Sequence, residues 1–244
     1  MASIIELKNV GFSAMEGKIV DEISIEFQAG KTTAIVGPSG GGKSTVLKLS
    51  AGLLVPSKGE VLYKGKNIAH MSRSENLDFR REGAFVFQDS ALWANQNLYE
   101  ILELPLTIHF PQMSKRQRAE RIREVTAEVG YRKDLNVRPS RLSMGEQKLI
   151  AFARAMLCKP ELLFLDEWTE SLDESAAERL VGIVRQKQKA GFSILFVSHD
   201  IRLIFDLADY VVVIIDGKVS ISAPKDNISR DLLTSDFLKT EAEL

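Results

Sequence analysis

The sequence predicts an α/β fold in which helices flank a mostly parallel β-sheet. Short, continuous, β-branched apolar runs are typical of strands that are buried on both faces. Two segments near the N-terminus instead alternate apolar and polar residues, as half-buried antiparallel strands do. A helical stretch without strand patterns, from about 89 to 142, interrupts the alternation of strands and helices. We therefore expect a parallel core, an antiparallel part and a helical insertion.

In the first half of the chain, the antiparallel part precedes a buried strand and a glycine-rich loop. The predicted elements are, in chain order, strands at 4–10, 18–27 and 31–36, a helix at 43–53, strands at 59–65 and 83–87, and helices at 98–104 and 114–130. Ser114 and Gln117 have the spacing of a capping box at the start of the last helix, and Gly130 predicts where it ends.

In the second half, strands and helices alternate again. The predicted elements are a strand at 161–167, a helix at 174–191, a strand at 192–200 and a hairpin at 209–222. Asp173 is a candidate N-cap for the helix, and Gly191 predicts its end. The pair Asp216 and Gly217 is typical of a tight hairpin turn.

Composition excludes several classes of protein. The 244 residues carry 32 Lys and Arg against 33 Asp and Glu, so bulk positive charge does not favour nucleic acid and no such partner is expected. The single cysteine, Cys158, excludes an internal disulfide, and with three histidines a Cys/His zinc site is not expected. The N-terminus does not resemble a signal peptide, and no run reaches the roughly 20 apolar residues of a membrane span.

A glycine-rich loop, GPSGGGKST, lies between a predicted strand and a predicted helix. In this context it matches the phosphate-binding pattern G-x-x-x-x-G-K-[ST]. Glycines let backbone N–H groups converge on phosphate oxygens, and the helix N-terminus favours the same anion. We expect Lys43 to reach the β- and γ-phosphates and Ser44 to bind Mg²⁺. The predicted nucleotide-binding residues of the loop are Gly37, Pro38, Ser39, Gly40, Gly41, Gly42, Lys43, Ser44 and Thr45.

Two acids follow the apolar run LLFL, at Asp166 and Glu167. We expect Asp166 to hold the magnesium ion, through water, beside Ser44. Glu167 is placed to polarise an attacking water. The structural alternative is a strand that ends in a solvated acidic turn, and the glycine-rich loop upstream favours the functional interpretation.

The segment LSMGEQKLIAFARA, at 142–155, follows the helical stretch. It resembles the LSGGQ signature of ATP-binding-cassette (ABC) transporter subunits, and the chain resembles that family over essentially its full length. In the family, the signature of one subunit closes over ATP held by the glycine-rich loop of another. The resemblance implies that Ser143 and Gly145 meet the γ-phosphate in this way. Met144 and Glu146 depart from the usual motif, so we expect altered dimer affinity.

Other family motifs follow in order. Gln88 matches the Q-loop glutamine, which in the family contacts magnesium and links the site to the membrane partner. His199 matches the switch histidine, which contacts the γ-phosphate and helps Glu167 to position water. A D-loop, which touches the opposite subunit, is matched by Ser171, Leu172 and Asp173. The catalytic residues that the resemblance implies are therefore Glu167, His199, Gln88 and Lys43.

Two positions depart from the family. An aromatic residue usually stacks on adenine, but Ala14 occupies its position. Phe12 lies two residues earlier, where an extended chain puts it on the same face as Ala14, and either replaces that aromatic residue or belongs to the core. Trp168 stands where the family typically has proline, and the sequence offers no explanation for it.

The resemblance implies one domain over 1–244 with the P-loop NTPase fold and a RecA-like core. It divides into a nucleotide-binding core at 1–88 and 160–222, a helical subdomain with the signature at 89–159, and a C-terminal helical tail at 223–244. The implied ligands are ATP and Mg²⁺. The implied partners are a second ATP-binding subunit, in a homodimer, and integral membrane permease subunits at the cytoplasmic face of the inner membrane.

The segments FQDSALW and LPL are similar to those of ATPases from bacterial phospholipid-trafficking systems of the Mla/MCE type, which indicates a lipid substrate. Leu92, Trp93 and Leu98 either receive a helix of the membrane subunit or pack within the helical insertion. Two other functions stay open: a cytosolic ABC ATPase of the iron–sulfur assembly type, and a regulatory ATP-binding scaffold.

Overall fold

The computed structural model describes residues 2–15, 17–230 and 233. Its described part contains ten strands and seven α-helices. The strands are β1 (Ser3–Ala14), β2 (Gly17–Gln28), β3 (Thr32–Val36), β4 (Lys58–Tyr63), β5 (Lys66–Asn67), β6 (Gly83–Val86), β7 (Leu162–Asp166), β8 (Ser193–Val197), β9 (Tyr210–Ile215) and β10 (Lys218–Pro224). The helices are α1 (Lys43–Ser50), α2 (Arg73–Glu82), α3 (Leu98–His109), α4 (Lys115–Glu128), α5 (Met144–Met156), α6 (Glu174–Lys189) and α7 (Ile201–Leu207).

A six-stranded sheet in the order β10-β9-β3-β8-β7-β6 forms the centre. The five strands from β9 to β6 are parallel, and β10 pairs with β9 in the antiparallel direction. Every residue of β3, β7 and β8 is buried, as expected for strands covered on both faces. The predicted α/β class with a mostly parallel sheet is confirmed.

The parallel strands bring the predicted motifs to one edge of the sheet. The glycine-rich loop follows β3, Gln88 lies just beyond β6, Glu167 follows β7 and His199 lies just beyond β8. Because these four strands are parallel, their carboxyl ends lie at the same edge. Open α/β sheets bind ligands outside this edge.

The second sheet is antiparallel, in the order β2-β1-β4-β5. Its apolar face packs with α1 against one face of the central sheet, in a cluster that includes Ile5, Phe27, Leu47 and Phe164. The opposite face of the central sheet packs against the helices α3 to α7 in the larger core cluster. The antiparallel sheet therefore supports the glycine-rich loop and α1 from one side.

The chain between β6 and β7 is helical and contains no strand, as the sequence predicts. The predicted capping box of α4 is present, since Ser114 Oγ accepts from Gln117 N and Gln117 Oε1 accepts from Ser114 N. Leu98 is fully buried in the core and Leu92 is partly buried against it, whereas Trp93 is 46% exposed. Of these three residues, Trp93 presents the most surface to a partner.

Some boundaries differ from the predictions. Strand β10 continues to Pro224, so the expected C-terminal tail does not begin at 223, and residues 231, 232 and 234–244 lie outside the described residues. Helices α2 and α7 were not predicted. None of the described helices has the length and apolar character needed to cross a membrane.

Candidate functional site

The glycine-rich loop is shaped by the strands around it. A methyl group on Gly37 would lie 1.9 Å from the carbonyl oxygen of Ile214 in β9, and one on Gly42 would lie 2.9 Å from that of Ile19 in β2. The φ angles of Gly37 and Gly42 are 144° and 95°, which L-residues rarely adopt. At these two positions the protein's own backbone therefore requires glycine, in addition to the expected approach of phosphate. Gly40 has no atom within 4 Å of such a methyl group, so this part of the loop is open.

The first turn of α1 is a ready anion site. Its N-cap, Gly42, supplies no side-chain hydrogen bond, and the first turn has no acidic residue. The N–H groups of a first helical turn lack acceptors within the helix, and the helix dipole adds positive potential there. Lys43 is 6% exposed, and its Nζ donates to the carbonyl oxygen of Pro38 at 2.7 Å. Burial lowers the pKa of Lys43, while Glu167 and Asp166 oppose that change.

Ser44 and Asp166 meet where α1 begins and β7 ends. The Ser44 hydroxyl donates to Asp166 Oδ1 at 2.8 Å. Asp166 is 1% exposed, and burial raises its pKa although the Ser44 hydrogen bond and Lys48 act in the other direction. A buried carboxylate beside a hydroxyl offers the oxygen ligands that Mg²⁺ prefers, and a cation would offset the cost of burying that charge. The two residues therefore fit the predicted ion.

The surroundings of this pair indicate where further magnesium ligands would come from. Among the described residues, no group of three or more His, Cys, Asp and Glu could hold a metal ion. Mg²⁺ is usually bound through one or two carboxylates, with substrate phosphates and water completing its shell. With one carboxylate and one hydroxyl, the Ser44–Asp166 pair matches this mode of binding.

Glu167 is a buried acid in a strained position. It is 9% exposed and has a φ of 40°, in the left-handed region. Burial, with the negative charges of Asp166 and Glu170, raises its pKa to about 7. This is close to the value that suits a general base near neutral pH.

The side chain of His199 faces this acid. His199 Nε2 lies 3.1 Å from Glu167 Oε1, within the range of an ion pair. The same oxygen has no hydrogen-bond partner among the described residues, so the contact is close without hydrogen-bond geometry. The structure thus brings the two side chains together, and their joint role in positioning water stays a prediction.

The side chain of Gln88 is held by a residue of the turn after β7. Its Nε2 donates to Glu170 Oε2 at 3.1 Å. The two residues line an open cavity of about 710 Å³ between the loop at 87–91, the start of α5 and the turn after β7. The glycine-rich loop does not line this cavity. The role of Gln88 in magnesium binding stays a prediction.

The signature residues begin α5. Ser143 caps the helix, since its Oγ accepts from Glu146 N at 3.2 Å while Glu146 Oε2 accepts from Ser143 N at 2.8 Å. Met144 is 71% exposed, and a methyl group on Gly145 would lie 3.2 Å from the carbonyl oxygen of Ser171. The signature therefore packs against the predicted D-loop of its own chain, and Met144 is presented to the outside.

The predicted D-loop ends in a helix cap. Asp173 Oδ1 accepts from Ala176 N at 2.9 Å, so the predicted N-cap of α6 is confirmed. Ser171 has a φ of 65°, while Leu172 is partly buried against the core. Ser171 and Asp173 are exposed, which leaves them accessible to a second chain.

The first departure from the family pattern concerns Phe12 and the missing aromatic residue at Ala14. Phe12 is partly buried and packs against the cluster under the antiparallel sheet, which supports the core alternative. It pairs with Val20, next to the Ile19 carbonyl that approaches Gly42, so it also lies near the glycine-rich loop. Its stacking on adenine stays a prediction.

Trp168 now has a structural explanation. It is 0% exposed, and its ring lies 5.9 Å from that of Phe152 in α5. The indole therefore fills the space between the end of β7 and the signature helix. Its Nε1–H has no hydrogen-bond partner among the described residues.

Sequence reasoning missed Lys148, which is 3% exposed. Its Nζ donates to the carbonyl oxygens of Gln88 and Glu167, so one side chain touches two predicted catalytic residues. Lys148 lies four residues before Phe152 and seven before Ala155, both buried. This spacing puts it on the buried face of α5 and was the signal that could have identified it.

Comparison with known proteins agrees with this geometry. The family model for ABC transporters matches residues 20–170. The intermembrane phospholipid transport system ATP-binding protein MlaF of Haemophilus influenzae is 32% identical, over 99% of this chain and 92% of its own length. MlaF of Escherichia coli K12 is 33% identical, over 90% of this chain and 81% of its own length. A dimeric ATP-binding cassette in a post-hydrolysis state, bound to ADP and Pi, superposes with a TM-score of 0.83, is 28% identical, and is matched over 90% of this chain and 98% of its own.

These matches cover the structural core and the motifs together. The family model includes the glycine-rich loop, the signature helix and the two acids at the end of β7, Asp166 and Glu167. Nothing in the comparisons favours a regulatory scaffold or an iron–sulfur assembly ATPase. The chain therefore belongs to the ABC transporter family, as an ATP-binding and ATP-hydrolysing subunit.

Proposed function

We propose that two copies of this chain close on ATP and Mg²⁺ to drive phospholipid movement through separate integral membrane subunits, at the cytoplasmic face of the inner membrane. The observation that carries the catalytic part is the pair of contacts at one edge of the sheet, Ser44 with Asp166 and Glu167 with His199. The lipid substrate is supported by the MlaF relatives, whose names describe phospholipid transport.

In this proposal, each residue at the sheet edge has a defined task. Lys43 and the loop N–H groups bind the phosphates and stabilise the charge that develops on them. Ser44 and Asp166 hold Mg²⁺, which when bound neutralises phosphate charge. Glu167 accepts a proton from the attacking water, and His199 orients that water beside the γ-phosphate.

The position of the signature supports a dimer in which each chain completes the site of its partner. Ser143 Oγ accepts from Glu146 N, and a methyl group on Gly145 would lie near Ser171 and Leu172 of the same chain. Met144 is exposed at the start of a helix, where small residues and free N–H groups suit an anion. The trans role of the signature and of the D-loop rests on this arrangement and on the family motif.

A groove between α2, α3 and α5 is the proposed contact for the membrane subunits. It has a volume of about 260 Å³ and includes Trp93, Pro105 and Ile108 in its lining. Trp93 is 46% exposed and Ile108 is 51% exposed. Exposed apolar surface of this kind is typical of a protein–protein contact.

The catalytic part is tested by Glu167→Gln. The amide cannot accept the proton, so hydrolysis should fall by about 100-fold or more while ATP binding persists and the closed dimer accumulates. Phosphate release and light scattering on a sizing column measure the two effects. Normal turnover in this variant would remove Glu167 from its role.

The partner is tested by purification from membranes in mild detergent. The tagged chain should recover integral membrane subunits, and Trp93→Asp should lose them. Val55→Asp is the matched control, because Val55 is 79% exposed and lies outside the groove. Recovery of soluble proteins alone, or equal loss in both variants, contradicts the proposed contact.

A further inference from the structure

Lys148 joins two segments that are far apart in the sequence. Its Nζ donates to the Gln88 carbonyl across 60 residues and to the Glu167 carbonyl across 19 residues. The second distance is 3.2 Å, and the side chain lies on the buried face of α5. An ammonium group is rarely buried without such partners, because its desolvation is costly.

The Glu167 backbone is held from three directions. Its N–H donates to the Val197 carbonyl at 3.1 Å, and its carbonyl accepts from Glu170 N at 3.2 Å as well as from Lys148. A residue with a φ of 40° persists only where its surroundings hold it. Of these three contacts, Lys148 supplies the one that comes from a side chain.

We propose that Lys148 is a positioning residue for ATP hydrolysis, which holds the backbone of Glu167 in its strained conformation against the loop that begins at Gln88. The inference rests on the proposed role of Glu167. It deepens that role by linking the signature helix to the acid through one side chain.

Arg154, on the same helix, provides a matched comparison. Its guanidinium donates to the carbonyl oxygens of Ala91 at 2.6 Å and Ser90 at 3.1 Å. Lys148 and Arg154 therefore both hold the loop at 88–91 onto α5, but only Lys148 reaches Glu167. A comparison of the two separates fixation of the loop from positioning of the acid.

The experiment measures kcat, KM and nucleotide binding in Lys148→Met and Lys148→Gln. Because an error of about 1 Å in a catalytic group can cost about 100-fold, kcat should fall about 10- to 100-fold. The Kd for ADP should change less than about threefold, since the phosphate loop is untouched. Lys148→Arg keeps the charge, the N–H donors and a long side chain, whereas the amide of Gln is neutral and shorter, so Lys148→Arg should recover most of the rate. Arg154→Gln should lower kcat less than about threefold.

A double mutant separates this inference from the proposed function. In the Glu167→Gln background, Lys148→Met should not lower the residual rate further, because no general base remains to be positioned. Equal rate losses in both backgrounds, a parallel rise in the ADP Kd, or an equal loss in Arg154→Gln overturns the inference. If Glu167→Gln itself turns over normally, the proposed function fails. If the Lys148 variants turn over normally while Glu167→Gln does not, the inference alone fails.

Discussion

The Ser44 hydroxyl donates a 2.8 Å hydrogen bond to Asp166 Oδ1, across 122 residues of sequence. The bond links the first turn of α1 to the carboxyl end of β7. Asp166 is almost completely buried, so each donor that reaches it reduces the cost of its charge. One hydroxyl thus stabilises the fold and supplies a proposed ligand for magnesium.

Ser44→Ala should affect both roles. Removal of one partner leaves a buried acceptor unsatisfied, which costs about 1–3 kcal/mol in the free energy of unfolding. ATP hydrolysis should also lose its dependence on Mg²⁺ and fall sharply. Urea unfolding and a magnesium titration of phosphate release measure the two effects. Ser44→Thr keeps the hydroxyl and is the control, and an unchanged magnesium titration in Ser44→Ala would argue against the proposed metal site.

Gly37→Ala should be far more damaging than Gly40→Ala. The new methyl group at Gly37 would lie 1.9 Å from the Ile214 carbonyl oxygen, so strands β3 and β9 would have to move apart. At Gly40 no atom lies within 4 Å, and the remaining cost is about 1–2 kcal/mol for an alanine at a φ of 75°. Thermal unfolding of the two variants tests this order, and similar melting temperatures contradict it.

Trp168→Ala should destabilise the chain by about 3–5 kcal/mol, because it leaves a cavity between β7 and α5. Trp168→Phe keeps a ring beside Phe152 and removes the Nε1–H that lacks a partner among the described residues. This variant should cost less than Trp168→Ala, because it leaves a smaller cavity. Equilibrium unfolding in urea compares the two. Equal losses would show that the indole N–H, and not the packing, matters at this position.

Cys158 should react slowly with iodoacetamide. Burial raises the pKa of its thiol from 9.0 to about 11, so at pH 8 the native protein holds about a hundredfold less thiolate than the unfolded chain. The folded state therefore binds the thiol proton more tightly than the unfolded chain does. This difference stabilises the fold below pH 9, and the stabilisation is lost as the pH rises towards 11. Mass spectrometry of native and urea-unfolded protein measures the difference, and equal rates contradict it.

Local sequence patterns predicted most of the fold. The buried strand β3, the hairpin turn at Asp216 and Gly217, and the Ser114 capping box depend on neighbouring residues, and all are present. Helix α2 was missed because only Phe79 among its ten residues is buried, so it has no apolar stripe. Its capping box, at Ser72 and Glu75, was the readable signal.

The candidate site was only partly predictable from the sequence. The order of the motifs identified Lys43, Asp166 and Glu167, because phosphate chemistry places these residue types at the start of a helix and at the end of a strand. It did not reveal that Lys148 bridges two carbonyls, since a lysine in a helical pattern is usually solvated. At Gly37 the motif explained the glycine only by the approach of phosphate. The structure adds a second reason, because the backbone of strand β9 leaves no room for a side chain there.

The sequence by itself determined the alternation of strands and helices, the phosphate-binding loop and the family, because each depends on residue types at short, regular spacing. Only the tertiary structure decided that Trp168 fills the gap beside Phe152, that Gln88 bonds to Glu170 and that Lys148 holds Glu167. These contacts join residues on different elements. Their partners are selected by how the helices pack on the sheet, and no local spacing in the chain encodes that packing.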